Sequence, residues 1–376
     1  MPAVTSVLVV GAGLAGTATA AHLAARGVAV DLVEVKPEPT ALGSGITLQG
    51  NALRELRALG VWERARERGY AFDVTGLRAP DPAGTVVAEI PDARTGGPDL
   101  PAAMGMPRPE LARVLLGRAA EVGARIRFGV APVSLGQDGA GVDVGFSDGS
   151  AGRYDLVVGA DGIRSWTRRA IGIELETRPV GMGIWRAFAP RPASVTRTDL
   201  YYGGPCYIAG YCPTGEDSLY AYIVEDAHDR SELSPEQRLA TMTRLAAAYH
   251  GPWDEIRAVL TDAAHVHYTW FETHLLDPPW NRGRVVLVGD AAHTCPPTLA
   301  QGGAMALEDA AVLAELLLGR DAVDEDLWQA FHARRVERVR TVVDASNQLA
   351  RWLLDHVQGD APALFRRIAA LTSRPA

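Results

Sequence analysis

Cysteine is scarce in this chain: its 376 residues include three, Cys206, Cys212 and Cys295. They are too few and too scattered for a disulfide framework or a zinc site, so no metal is expected and a reducing, cytoplasmic setting is the default. Lysine is scarcer still. Lys36 is the only one, and arginine supplies the remaining fixed positive charge. A net charge of −8 and a pI near 5.6 leave no basic excess for a phosphate backbone, which excludes nucleic acid as the natural partner. No apolar run approaches the roughly 18 residues that a spanning helix needs. The opening MPAVTSVLVVGAG has neither basic flank nor cleavage site, so it reads as a buried strand rather than a signal peptide. What is present is ordinary for a globular protein: 47% apolar and 22% charged residues, in a length that suggests two domains. A monomer or homodimer is expected.

Three separated segments carry the chemistry. In the first, an apolar run over residues 4–10 leads directly into Gly11-Ala12-Gly13-Leu14-Ala15-Gly16, and an alanine-rich helix follows. A second strand then ends on Glu34. This is the dinucleotide fingerprint in its required strand–turn–helix context. Gly11 permits the tight turn, Gly13 lets backbone reach a pyrophosphate, Gly16 brings helix and strand together, and Glu34 can accept from ribose hydroxyls. The second segment is a strand, Tyr154 to Val158, that ends in Gly159-Ala160-Asp161-Gly162. In the third, the strand Val285 to Val288 delivers Gly289 and Asp290; a proline loop follows, and Gln301-Gly302-Gly303 opens an Ala/Leu/Glu-rich helix. A helix amino end with adjacent glycines offers free N–H groups to a close ligand.

Elsewhere the pattern is mixed. Gly43 and Gly45, before Ile46, are either a plain loop or a place where a flat ring lies against backbone. Alternation from Phe72 to Ile90 predicts a hairpin. Pro109 suits the first turn of a helix beginning near Arg108, which is either a solvated charge or a clamp on an anionic cofactor. Between 175 and 280 the helices shorten, and Met182, Ile184, Arg186 and Phe188 share one strand face while Trp185 takes the other. Helices are predicted over 303–319, 325–356 and 361–372, with the arginines of the second expected on a solvated face.

Taken together, Gly11 to Glu34, DLVVGADG from Asp155 to Gly162, and Gly289 to Asp309 resemble the para-hydroxybenzoate hydroxylase group of FAD-dependent aromatic monooxygenases. That resemblance implies an α/β fold: a Rossmann-like FAD-binding domain (1–174 with 281–320), an inserted, mostly antiparallel β-sheet substrate domain (175–280), and C-terminal helices (321–376). Part of 72–105 is expected in the substrate layer. It implies FAD held by Gly11, Gly13, Leu14, Ala15, Gly16, Glu34, Val35, Lys36, Gly45, Ile46, Arg108, Asp161, Gly162, Gly289, Asp290, Pro297, Gly302, Gly303 and Ala304. NADH or NADPH is the transient reductant and O2 the second substrate, with hydroxylation through a flavin C4a-hydroperoxide. Pro297 is expected over the reactive face and Arg186 against flavin or an anionic substrate. Gln49, Tyr211, Tyr220 and Tyr222 are expected to line the cavity for a small aromatic or heteroaromatic substrate. His293 is expected to be structural. One departure stands out: where the family commonly has Gly-Gln-Gly-x-Asn, this chain reads Ala300-Gln301-Gly302-Gly303-Ala304.

Competing readings remain at this level. An FAD-dependent dehydrogenase or reductase without oxygen insertion and a non-catalytic flavin-binding protein both fit the motifs. A flavin-dependent halogenase fits poorly, because the sole lysine sits beside the ribose acid and Trp185 lies outside any Trp-x-Trp-x-Ile-Pro element.

Overall fold

The computed structural model describes residues 2–39 and 45–376. Gly43 lies outside the described residues. The opening strand Ser6–Val10 is fully apolar after Ser6 and sits centrally in a six-stranded sheet. Leu156–Gly159 and Ala29–Glu34 flank it in parallel register, and Val285–Leu287 and Arg125–Phe128 lie one place further out. Strands covered on both faces read as apolar runs, which is why this sheet was visible in the sequence. The helices Leu14–Ala24 and Gly302–Gly319 pack against each other over it, both rich in alanine and buried along most of their length. All three motif segments therefore end at the same edge of one sheet, where backbone turns can meet a common ligand.

An eight-stranded sheet forms the second layer. Its centre is Arg178–Pro190, paired antiparallel with Ser218–Asp226 on one side and Val266–Leu275 on the other. Ile208–Pro213 and Thr198–Tyr202 extend it, and the hairpin Val74–Arg78 with Val86–Pro91 completes the far edge. The hairpin from the first third of the chain thus belongs to the second sheet. A small sheet of Gly45–Gln49, Ala103–Pro107 and Tyr70–Phe72 bridges the layers.

Alternation sorts the large sheet into two faces. Trp185, Tyr201, Tyr211 and Ile223 point to the side covered by helices Pro235–Ala246 and Pro252–Val259, where they pack with Met242 and Trp253. Ile184, Arg186, Tyr220, Tyr222 and Cys212 point the other way, where Cys212 and Tyr220 pack on Phe72 and Ala103 of the small sheet and Ile184 packs on Ala350. Across the back, helix Glu325–Leu354 spans both layers. Its arginines depart from expectation: Arg335 is 0% exposed and Arg338 8%. Buried carboxylates on helix Gly302–Gly319 hold both of them inward.

Candidate active site

The first turn is built on glycine for two separate reasons. Gly11 adopts φ +101°, and a Cβ there would lie 2.5 Å from the Ala160 carbonyl oxygen. A Cβ on Gly16 would lie 1.9 Å from the Gly11 carbonyl oxygen, so only glycine lets the helix start this close to the strand. Gly13 differs, since a Cβ there meets nothing within 4 Å. It fronts an open groove rather than a packed neighbour, as a backbone N–H that approaches a ligand must. Leu14 and Ala15 follow in the helix's first turn, with Ala15 buried. Glu34 closes the turn by accepting from the Ala12 N–H at 2.9 Å and from the Lys36 N–H at 3.1 Å. Val35 is 68% exposed beside it.

On the opposite wall, Gly289 sits at φ +58° and Asp290 follows with its side chain open to the groove. Surrounding protein raises the Asp290 carboxyl pKa through desolvation, an effect that His293 and Arg108 partly offset. Pro297 is exposed at the start of a single 3-10 turn, Pro297–Leu299, which ends on Ala300 at φ +51°. Gln301 then stands at the N-cap position of helix Gly302–Gly319, with no capping bond from its side chain. A Cβ on Gly302 would meet nothing, whereas one on Gly303 would press on Leu14 and Ile46 at 3.2 and 3.3 Å. Ala304 is buried one residue further in. The helix's free N–H groups and the positive end of its dipole thus face the same groove as Gly13 and Asp290. These open glycines, the flanking acids and the helix end fit an extended dinucleotide with two phosphates, two polyol segments and a flat ring.

The second layer closes this groove. Arg186 Nε donates to the Tyr220 hydroxyl at 3.2 Å, and its Nη1 donates to Thr269. Arg108 Nε donates to the Gly45 carbonyl at 3.1 Å. Burial, and next the nearby charge of Arg186, lower the Arg108 pKa; Tyr220 and Asp290 act in the opposite direction. Gly45 packs directly on Tyr220, since a Cβ there would lie 2.6 Å from Cβ of that tyrosine. Arg108, Gly45, Asp290, Arg186 and Tyr220 come from five separate elements of the chain, and they meet around Arg108. Tyr222 stacks beside Tyr220 with ring centroids 5.0 Å apart, and burial raises its phenol pKa well above the usual value. Gln49 is half-buried at the start of helix Gly50–Ala58.

One expectation needs correction. Tyr211 does not line this cavity: it is 1% exposed on the opposite sheet face, where its hydroxyl donates to Asp199 at 2.8 Å. An odd–even shift of one residue decides this, because Cys212 and Gly210 take the cavity face instead. Asp161 has its carboxylate engaged in structure. It accepts from the Thr167 N–H at 2.8 Å and from the Ser165 and Thr167 hydroxyls, which caps helix Trp166–Ala170. Gly162, at φ +77°, makes the turn between them. His293 is buried with Nε2 2.7 Å from Asp309 Oδ2. Sequence reasoning missed Asn51, Glu308, Asp309 and Arg335, which form a buried polar cluster beneath the groove. Their signal was faint: two adjacent acids among the apolar residues of a mostly apolar helix.

Fold and groove together define a flavoprotein of the FAD-dependent monooxygenase class. The chain belongs to the FAD binding domain family, whose profile matches residues 4–346. Among its relatives, the 2-heptyl-3-hydroxy-4(1H)-quinolone synthase of Pseudomonas aeruginosa is 34% identical over 352 residues, covering 92% of this chain and 90% of that one. The 3-hydroxybenzoate 6-hydroxylase of Polaromonas naphthalenivorans is 29% identical over 378 residues, covering 95% and 90%. Of solved structures, 2-methyl-3-hydroxypyridine-5-carboxylic acid oxygenase matches with a TM-score of 0.78 at 27% identity, covering 97% of each chain. Klebsiella pneumoniae HpxO, complexed with FAD and uric acid, shares the fold with a TM-score of 0.83 at 21% identity, covering 99% of this chain and 97% of that one.

Proposed function

We propose that this enzyme hydroxylates a small aromatic or heteroaromatic compound, using O2 and a nicotinamide reductant that visits transiently. One observation carries the substrate side of that reading: Arg186 and Tyr220 form a hydrogen-bonded pair on the sheet face that closes the cofactor groove. A cation and a phenol held together suit an electron-rich ring bearing an ionised oxygen, because the guanidinium stabilises the anion and the hydroxyl directs it.

When bound, the flavin supplies the redox and oxygen chemistry that side chains lack. The residues around it have simpler tasks. Glu34 would accept from the adenosine ribose, Gly13 would bring N–H groups to the pyrophosphate, and Asp290 would accept from the ribityl hydroxyls. The amino end of helix Gly302–Gly319, with free N–H groups, would favour negative charge on a bound ring. Tyr222 and Gln49 shape the substrate side, and the Pro297 loop keeps water from the reacting face. Only one dinucleotide fingerprint is present, and it serves FAD. NADH or NADPH then docks on the surface without a fingerprint of its own.

Anaerobic stopped-flow reduction with NADH and with NADPH, each with and without a panel of phenols, hydroxypyridines and quinolones, tests this. Flavin bleaching is expected to accelerate with the right ring, followed in air by O2 consumption matched to hydroxylated product. Equal reduction rates across a broad panel would sink the hydroxylase reading. Ring-dependent turnover that persists without oxygen would instead favour a dehydrogenase.

A further inference from the structure

Asp309 and Glu308 are both 0% exposed, and together they connect helix Glu325–Leu354 to the two segments that face the cofactor groove. Asp309 Oδ2 accepts from the Gly289 N–H at 2.9 Å and lies 2.7 Å from His293 Nε2, so one oxygen grips residues on both sides of Asp290. Its other oxygen accepts from Arg335 Nε at 2.7 Å. Glu308 Oε2 accepts from Arg335 Nη1 at 2.9 Å, while Glu308 Oε1 accepts from Asn51 Nδ2 at 3.0 Å. Asn51 in turn exchanges two hydrogen bonds with the side chain of Gln301, at 3.0 and 3.2 Å, and Gln301 holds the N-cap position of the helix that opens the groove. Arg338 completes the cluster with bonds of 2.7 and 2.8 Å to Glu308. Arg54 also lies 3.6 Å from Glu308 and 3.4 Å from buried Glu55, so three acids face three arginines and these groups balance beneath the flavin site.

We infer that Arg335 is a positioning residue for the cofactor: through Asp309 it fixes the Gly289–Asp290 turn, and through Glu308 and Asn51 it fixes Gln301 at the helix N-cap position. The inference rests on the reading that this turn belongs to the flavin site. A buried ion cluster that served stability alone would have no need to end on both groove-facing segments. Here two of the three branches from Arg335 do, while the third, Nη2, donates to the Met305 carbonyl at 3.1 Å in the first turns of helix Gly302–Gly319. Its planar fork reaches both carboxylates at once, a geometry that lysine cannot reproduce.

The groups facing Asp309 are His293 and Asp290 from the turn, Arg335 from the long helix, and Glu308 beside it. With these partners its carboxyl is held at about 2, although burial alone pushes it up. Removing Arg335 leaves burial opposed by fewer charges, so Asp309 protonates at higher pH and loses part of its capacity to accept from Gly289 and His293.

The test is FAD affinity of the full-length apoprotein, measured by calorimetric titration across roughly pH 6 to 8, for wild type, Arg335→Met, Arg335→Lys and Asp290→Ala. Arg335→Met is expected to raise the FAD Kd at least about tenfold, by a factor that grows toward the acid end of the range. Arg335→Lys keeps the charge and is expected to raise Kd by a smaller, pH-independent factor. A purely structural role would lower the melting temperature but leave the ratio to wild type flat with pH, and that result overturns the inference. If Arg335→Met fails to fold, Arg335→Lys decides, and wild-type affinity there also overturns it. Unchanged affinity in Asp290→Ala overturns the site reading and this inference with it; unchanged affinity in the Arg335 variants alone overturns only the inference.

Discussion

At the scale of single residues, the glycines of the first turn separate packing from binding. Gly16 faces backbone at a distance that no Cβ tolerates, whereas Gly13 faces open groove. Gly16→Ala is therefore expected to destabilise the apoprotein by several kcal/mol, of the order seen for overpacked sites (~1–3 kcal/mol or more). Gly13→Ala is expected to leave the apoprotein's urea midpoint unchanged and to weaken FAD binding about tenfold or more. Matching losses of stability in the two variants would contradict this division. A second expectation concerns His274, 5% exposed, whose pKa is lowered to about 4 by burial and next by the charges of Arg168 and His293. Its folded pKa lies below the unfolded value near 6.5, so the unfolded chain binds the extra proton between those limits. Stability is thus fully present above about pH 6.5 and declines as pH falls toward 4, by up to about 3 kcal/mol from this group. Urea midpoints of wild type and His274→Leu compared at neutral and mildly acidic pH check this, with a shallower pH slope expected in the variant.

At the scale of elements, strand alternation assigns neighbouring tyrosines to different work. Tyr211 and Tyr220 are cross-strand near-neighbours, yet one faces the helices and the other the groove. Tyr211→Phe removes the hydroxyl that, with Arg78 and Arg197, satisfies buried Asp199. A cost of about 1–2 kcal/mol in stability is expected with steady-state turnover unchanged. Tyr220→Phe removes a partner of Arg186 and is expected to do the reverse, lowering turnover or raising substrate KM about tenfold with little change in melting temperature. Thermal melts and steady-state kinetics on both variants give the comparison. The long helix Glu325–Leu354 teaches a related lesson. A run such as Arg334-Arg335-Val336-Glu337-Arg338 looks solvated, but all three of its arginines meet acids on the facing helix, and Arg335 and Arg338 turn inward. Besides these ion pairs, the same helix holds the Pro297 loop through a 2.9 Å bond from the Thr298 hydroxyl to the Ser346 carbonyl.

For the whole molecule, the cofactor site lies between layers that share little sequence continuity. The hairpin 74–91 leaves the first layer to join the second sheet, and Arg78 and Arg197 tie it there through Asp199. Because both layers contribute to the groove, FAD should stabilise them as one unit. At about a hundred times Kd, a ligand that binds only the folded state adds about 2.7 kcal/mol. A single cooperative melt that shifts upward with FAD is expected in differential scanning calorimetry. Two transitions, of which FAD moves only one, would show that the layers unfold independently.

The sequence by itself determined the framework. Apolar runs that end in glycine and an acid specify strands buried on both faces and turns that tolerate close approach, and these are local properties. It also indicated Gly11, Gly13, Gly16, Glu34, Asp290 and the Gly302–Gly303 helix start as one family's cofactor motifs, because each depends on residue type at fixed spacing. Tertiary structure alone decided which face Tyr211 and Tyr220 present, since register sets that by a single residue. Only the folded chain, likewise, brought Arg335 to Asp309 and Glu308, a pairing between helices whose charges look interchangeable until burial removes water as the competing partner.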